Sequence, residues 1–203
     1  MQKYHFSQQK AAVGELEQSF LDSRQRSTAV GMQEDYVNDQ QICLTSVTFI
    51  PDELACEIIK QIIKPLSAIH PNHYFYKSSS LHLTIKNVRT ISNPPLFNQE
   101  EISKVDSLLQ KLVPQFSQFE FNVEDVLLLP TSISLMAYSN SELQKLVLSL
   151  DKGLQDIGVP DNKKYISETV FWGNITVCRF TSEPSSELIE MVKSMRKLKL
   201  GKF

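Results

Sequence analysis

Apolar positions recur along the chain at two spacings, and they mark off helices and strands in turn. Residues 8–22 carry Ala12, Val13, Leu16 and Phe20 at helical spacing. Ile42 to Ile50 is rich in Val, Ile, Thr and Phe and reads as a strand stopped by Pro51. Leu54, Ile58, Ile59, Ile62, Ile63 and Leu66 then follow the period of one helix face. Residues 80–91 alternate and predict a strand. Asn98 is placed to cap a helix bearing Ile102, Val105, Leu108, Leu109 and Leu112, with Glu101 three residues on, as a capping box requires. Two strands, 118–128 and 132–138, flank Pro130-Thr131 and predict a hairpin. Leu143, Leu146, Val147, Leu150 and Leu154 give a third helix, which Gly158 ends. Residues 169–180 form a further strand and 186–197 a last helix.

The order is β-α-β-α followed by β-β-α-β-α. In each half a helix precedes a strand that carries x-x-Thr, and a second helix follows it, as in an internal duplication. The expected architecture is α+β and two-lobed, a duplicated β-α-β arrangement with antiparallel sheets around a central groove and helices outside. Residues 1–40, rich in Gln, Ser, Asp and Glu, read as an N-terminal arm that packs on the surface or offers a helix to a protein partner. Residues 41–203 read as the domain proper.

Two strands carry the chemistry. In Leu81-His82-Leu83-Thr84-Ile85-Lys86, alternation sends the three apolar residues to the core. His82, Thr84 and Lys86 fall in one row on the other face: a proton carrier, a hydroxyl and a cation. In Phe171-Trp172-Gly173-Asn174-Ile175-Thr176-Val177-Cys178-Arg179, Asn174 and Thr176 repeat the spacing of His82 and Thr84. Trp172 is expected at the groove wall, where it can pack or stack on a base. Strict alternation puts Arg179 on the Ile175 face, so it reaches the groove only if the strand ends or bulges there.

Leu-His-Leu-Thr-Ile-Lys resembles the first signature of the 2H phosphoesterases, the family of 2'-5' RNA ligase-like proteins and RNA 2',3'-cyclic phosphodiesterases. Their second signature commonly reads His-Ile-Thr-Leu-Ala-Arg, and Asn-Ile-Thr-Val-Cys-Arg is similar to it in all but the histidine. The resemblance covers about residues 42–203. It implies a cofactor-free and metal-free site in which two imidazoles share the proton transfers and the threonines hold phosphate oxygens. His82, Thr84, Asn174 and Thr176 would then be the catalytic set, with Lys86, Arg179, Trp172 and Tyr165 contacting substrate. The implied ligand is an RNA end or nucleotide with a cyclic or 2'-5' phosphodiester. Asn174 changes the mechanism, because a side-chain amide exchanges no proton at neutral pH. Weak or absent turnover is therefore expected, unless Tyr165, Tyr76 or His73 replaces the missing histidine; a non-catalytic scaffold acting through the arm is the third reading. The family runs on past the last helix into further strands. This chain stops at Leu200-Gly201-Lys202-Phe203, where such a strand would begin, so a shortened C-terminus or a substitute segment is expected.

Charge and composition narrow the setting. A formal net charge of -2 excludes a protein that coats nucleic acid by bulk positive charge, so any nucleic-acid contact is local. Three scattered cysteines predict reduced thiols and a cytoplasmic location. No apolar run approaches the ~20 residues of a membrane span, so no membrane contact is expected. His70 and His73 lie in a His-Pro-Asn-His loop without acidic or thiol neighbours in sequence, which argues against a metal site.

Overall fold

The computed structural model describes residues 2–21, 31–162, 167 and 169–203. The first helix, α1 (Gln2–Leu21), extends six residues further towards the N-terminus than its apolar spacing predicts. Strand β1 (Ile42–Phe49) leads through Pro51 into α2 (Asp52–Ile58), a π-helical turn (Ile59–Ile63) and α3 (Lys64–Ile69), which follow one another without a break. Pro65 supplies a cause for the widened turn. A proline inside a helix donates no N–H and its ring crowds the preceding turn, which a π-type turn relieves.

A two-residue strand, β2 (Tyr74–Phe75), and a 3-10 turn (Ser78–Ser80) precede β3 (His82–Ser92). Helix α4 (Gln99–Leu112) carries the capping box read from its sequence: Asn98 accepts from the Glu101 N–H, and the Glu101 carboxylate accepts from the Asn98 N–H. Strands β4 (Asn122–Leu129) and β5 (Ser132–Tyr138) form the expected hairpin. Helix α5 (Ser141–Asp156), strand β6 (Gly173–Arg179) and helix α6 (Ser186–Ser194) follow. The last residues do form a strand, β7 (Lys199–Lys202), paired with β4.

All pairings are antiparallel. Strands β1 and β3 make one pair, and a five-stranded sheet runs β2-β6-β5-β4-β7. The sheets curl as a half-barrel and pack against helices, so the chain is α+β as expected. The main core lies under one face of the large sheet. There Leu54, Ile58, Ile62 and Leu66 pack with Leu188 and Val192 against Ile133, Leu135, Ile175 and Val177, all buried. Each such side chain, fully buried, contributes about 1.5–3 kcal/mol.

The opposite face of the large sheet holds a second cluster: Leu127, Met136, Tyr138 and, from α1, Val13, with Phe6 and Trp172 packed at its margin. Helix α1 is tied down around this cluster. Gln9, fully buried, donates to the Phe171 carbonyl at 2.6 Å and accepts from the Ser139 N–H at 3.2 Å. Lys10 pairs with Glu124 and lies 5.3 Å from the centre of the Tyr138 ring, and Glu17 pairs with Arg196. Of the arm's apolar stripe, Val13 and Leu16 are buried within the chain and Ala12 and Phe20 are half-buried. In β4 the bulge residue Asp125 stands at φ 63, a conformation aspartate tolerates; its carboxylate accepts from the Tyr138 hydroxyl and pairs with Arg196. No helix among the described residues is long and apolar enough to cross a membrane.

Candidate functional site

His82 opens β3 directly after the Ser78–Ser80 turn. Its Nδ1 lies 2.8 Å from the Ser80 carbonyl. A carbonyl only accepts, so Nδ1 carries the proton and donates, which leaves Nε2 as the basic nitrogen of the neutral ring. The side chain is half-buried, as is Thr84 two residues on, while Leu83 between them is fully buried. On β6 the same pattern holds: Asn174 is exposed and Thr176 half-buried, and Gly173 and Ile175 are buried.

Gly173 explains how the two strands meet. A Cβ on it would stand 2.4 Å from Leu83 Cδ1, so the leucine fills the space that any side chain at 173 would need. Leu83 and Gly173 thus front the same core at the point where β3 passes β6. By alternation, His82 and Thr84 on one strand and Asn174 and Thr176 on the other project away from that core, on a common face. This motif face continues onto β5. Met136 stands opposite Asn174 in register and Ser134 opposite Thr176, and the Ser134 hydroxyl donates to Thr176 Oγ1 at 3.4 Å. Ser132 and Ser134 were not singled out from the sequence. Their only signal is a Ser-x-Ser pair inside an apolar strand, which reads as strand before it reads as a row of hydroxyls.

Two bulges rearrange the cations. In β3, Val47 pairs with Thr84 and Ser46 with Lys86, so Ile85 is the extra residue. Past it the alternation reverses, and Lys86 turns into the interior instead of sharing the row of His82 and Thr84. It is 1% exposed and ion-paired with Asp151 of α5 and with Asp161. It presents nothing to a ligand, which corrects its expected place in the groove. Burial, outweighing the pull of Lys86, holds the Asp151 carboxyl above the usual carboxylate range. In β6, Ser134 pairs with Thr176 and Ile133 with Cys178, so Val177 is the extra residue. Cys178 drops into the core, where burial pushes its thiol up to about 12, and Arg179 turns onto the motif face opposite Ser132. Its guanidinium makes no hydrogen bond or ion pair among the described residues, and its Nη1 is buried without a partner.

The remaining candidates fall in different places. Trp172 is half-buried at the edge of the second cluster, in line with Asn174. Tyr165 lies outside the described residues. Tyr76 donates its N–H to the Val177 carbonyl and sets its ring edge-on to Tyr74. His73 is 4% exposed, stacked on His70 with ring centres 4.1 Å apart, and its Nδ1 is held by Thr181. Burial, reinforced by His70, holds its imidazole below the ordinary value, and no substrate can reach it there. His73 is therefore not placed to stand in for the missing histidine.

Comparison with protein-family models finds no match, and comparison with curated proteins finds none. Among solved structures, the chain is similar to TT0787 of Thermus thermophilus, with 15% sequence identity and a TM-score of 0.55; the likeness covers 80% of this chain and 83% of that one. It is also similar to E. coli LigT complexed with ATP, at 19% identity over 72% of this chain and 77% of that one, with a TM-score of 0.48, too low for a shared fold to be argued from it. The likeness to TT0787 shows a shared α+β fold, and the paired motifs on β3 and β6 resemble those of the 2H phosphoesterases.

Proposed function

We propose that the motif face binds the phosphodiester of an RNA end or nucleotide, cyclic or 2'-5' linked, with weak or no turnover because Asn174 stands in place of a second histidine. The observation that supports this reading is the close approach of Leu83 to Gly173, from which side-chain alternation carries both motifs to one face. His82 brings one proton carrier, with Nε2 left basic by the Ser80 bond. Thr84 and Thr176 bring hydroxyl donors for phosphate oxygens, with the buried Ser134 donating to Thr176 from below, and Arg179 brings a charge that no side chain neutralises among the described residues. The Asn174 amide can hold an oxygen but cannot give or take a proton. Loss of one acid–base partner costs roughly 10²–10⁴ in rate.

The three cysteines Cys43, Cys56 and Cys178 are free thiols, which fits a cytoplasmic protein. Titration calorimetry with a nucleoside 2',3'-cyclic phosphate tests the site. Each hydroxyl bond to the charged phosphate contributes about 1.5–3 kcal/mol, so Thr84→Ala combined with Thr176→Ala should weaken binding by two orders of magnitude or more. Equal affinity in the parent and the double variant would remove this face as the site.

A further inference from the structure

The Arg179 end of the motif face is walled by tyrosines. Tyr74 pairs with Arg179 in register across β2 and β6, so the two side chains share a face. The Tyr74 ring centre is 5.2 Å from that of Tyr76 and 5.8 Å from that of Tyr36. Tyr36 comes from the segment between α1 and β1, and its ring is pinned. Its hydroxyl accepts from the Gln33 N–H at 3.1 Å and lies 3.1 Å from the Gly31 carbonyl and 3.2 Å from the Phe180 carbonyl, either of which takes its proton. Burial holds its phenol above the ordinary value, against the opposing pull of the Gln33 N–H and of Arg179. All three tyrosines are half-buried.

Tyr74, with the Tyr36 and Tyr76 rings against its own, thus stands beside a cation whose Nη1 is buried without a partner. We propose that Tyr36, Tyr74 and Tyr76, with Arg179, form a subsite for a nucleobase at this end of the face. This inference rests on the phosphodiester reading above. Thr176 and Arg179 stand opposite Ser134 and Ser132, two residues apart on β5, so about 7 Å separates the phosphate hydroxyls from the base subsite. The rings supply stacking surface, which accepts any base. The guanidinium fork supplies in-plane donors, which suit the paired acceptors on the edge of guanine. The segment before β1 therefore takes part in ligand selection through Tyr36.

Calorimetry with two probes tests this: guanosine 2',3'-cyclic phosphate, and glycerol 1,2-cyclic phosphate, which has the same five-membered phosphodiester and no base. The guanosine ligand should bind at least about ten-fold tighter. Tyr36→Leu should shrink that ratio towards one, while Tyr36→Phe, which keeps the ring, should preserve it. If Tyr36→Leu fails to fold, Tyr74→Leu decides by the same ratio. Equal affinity of the two probes in the parent protein would overturn the base subsite while leaving the phosphodiester reading in place. Binding of neither probe would overturn both. A base advantage untouched by Tyr36→Leu and Tyr74→Leu would put the base elsewhere, against Trp172 for instance, and would also overturn the proposal.

Discussion

Gly173→Ala isolates the contact on which the shared motif face depends. The new methyl would stand 2.4 Å from Leu83 Cδ1, 2.7 Å from Cγ and 2.8 Å from Cδ2. Because Cγ itself is too close, turning the end of the leucine does not relieve the overlap; the whole side chain must swing. Leu83 is fully buried, so it cannot swing out to solvent. Overpacking of this kind costs about 1–3 kcal/mol. Gly173 does not have a positive φ, so the backbone itself raises no objection to alanine. In a Leu83→Ala background the obstacle is gone. That background is itself destabilised by about 2–5 kcal/mol, but within it alanine should outperform glycine by roughly 0.5–1 kcal/mol, the cost of glycine in a strand. The effect of Gly173→Ala should therefore change sign between the two backgrounds. Urea denaturation of all four proteins, with slopes checked for constancy, measures it. A coupling below about 0.5 kcal/mol would mean that β3 and β6 do not touch here, and the argument for one motif face would fail with it.

Asn174→His should create or greatly raise metal-independent hydrolysis of 2',3'-cyclic nucleotides measured in EDTA, with a bell-shaped pH profile, and His82→Ala should abolish it; tight binding without activity would count against the assignment of roles. Lys86→Met leaves Asp151 and Asp161 without their buried cation and should destabilise the fold by about 3–5 kcal/mol in urea, while affinity for a cyclic phosphate should change far less than in Arg179→Met. His73 is held below its usual 6.5 by burial, so the unfolded chain binds the proton first. Stability should be complete above that value and fall as the pH drops below it. His73→Gln should flatten this decline, leaving the part due to His5, which burial shifts in the same direction.

Much of this protein is decided locally and is legible along the chain. The capping box at Asn98 and Glu101 depends on residues three apart, and the structure holds it as read. The helices carrying Leu143 to Leu154 and Leu54 to Leu66 follow from apolar periodicity, because a stripe at that spacing has to be buried. The His82 and Asn174 motifs could be found because two short patterns recur on two strands. Where α1 docks was beyond reach: its ties to Phe171 and Ser139 join residues more than a hundred apart, and no local pattern encodes them. The three-tyrosine wall was equally hidden, since Tyr36 meets Tyr74 only through the path of the segment before β1. The clearest division lies in the two cations. Alternation placed Lys86 in the groove and kept Arg179 out unless a bulge intervened, and the structure reverses them. The period of a strand is written in its residues, but a bulge arises from how one strand registers on its partner. A single extra residue at Ile85 or Val177 turns the side chains that follow it, Lys86 and Arg179 among them, to the other face.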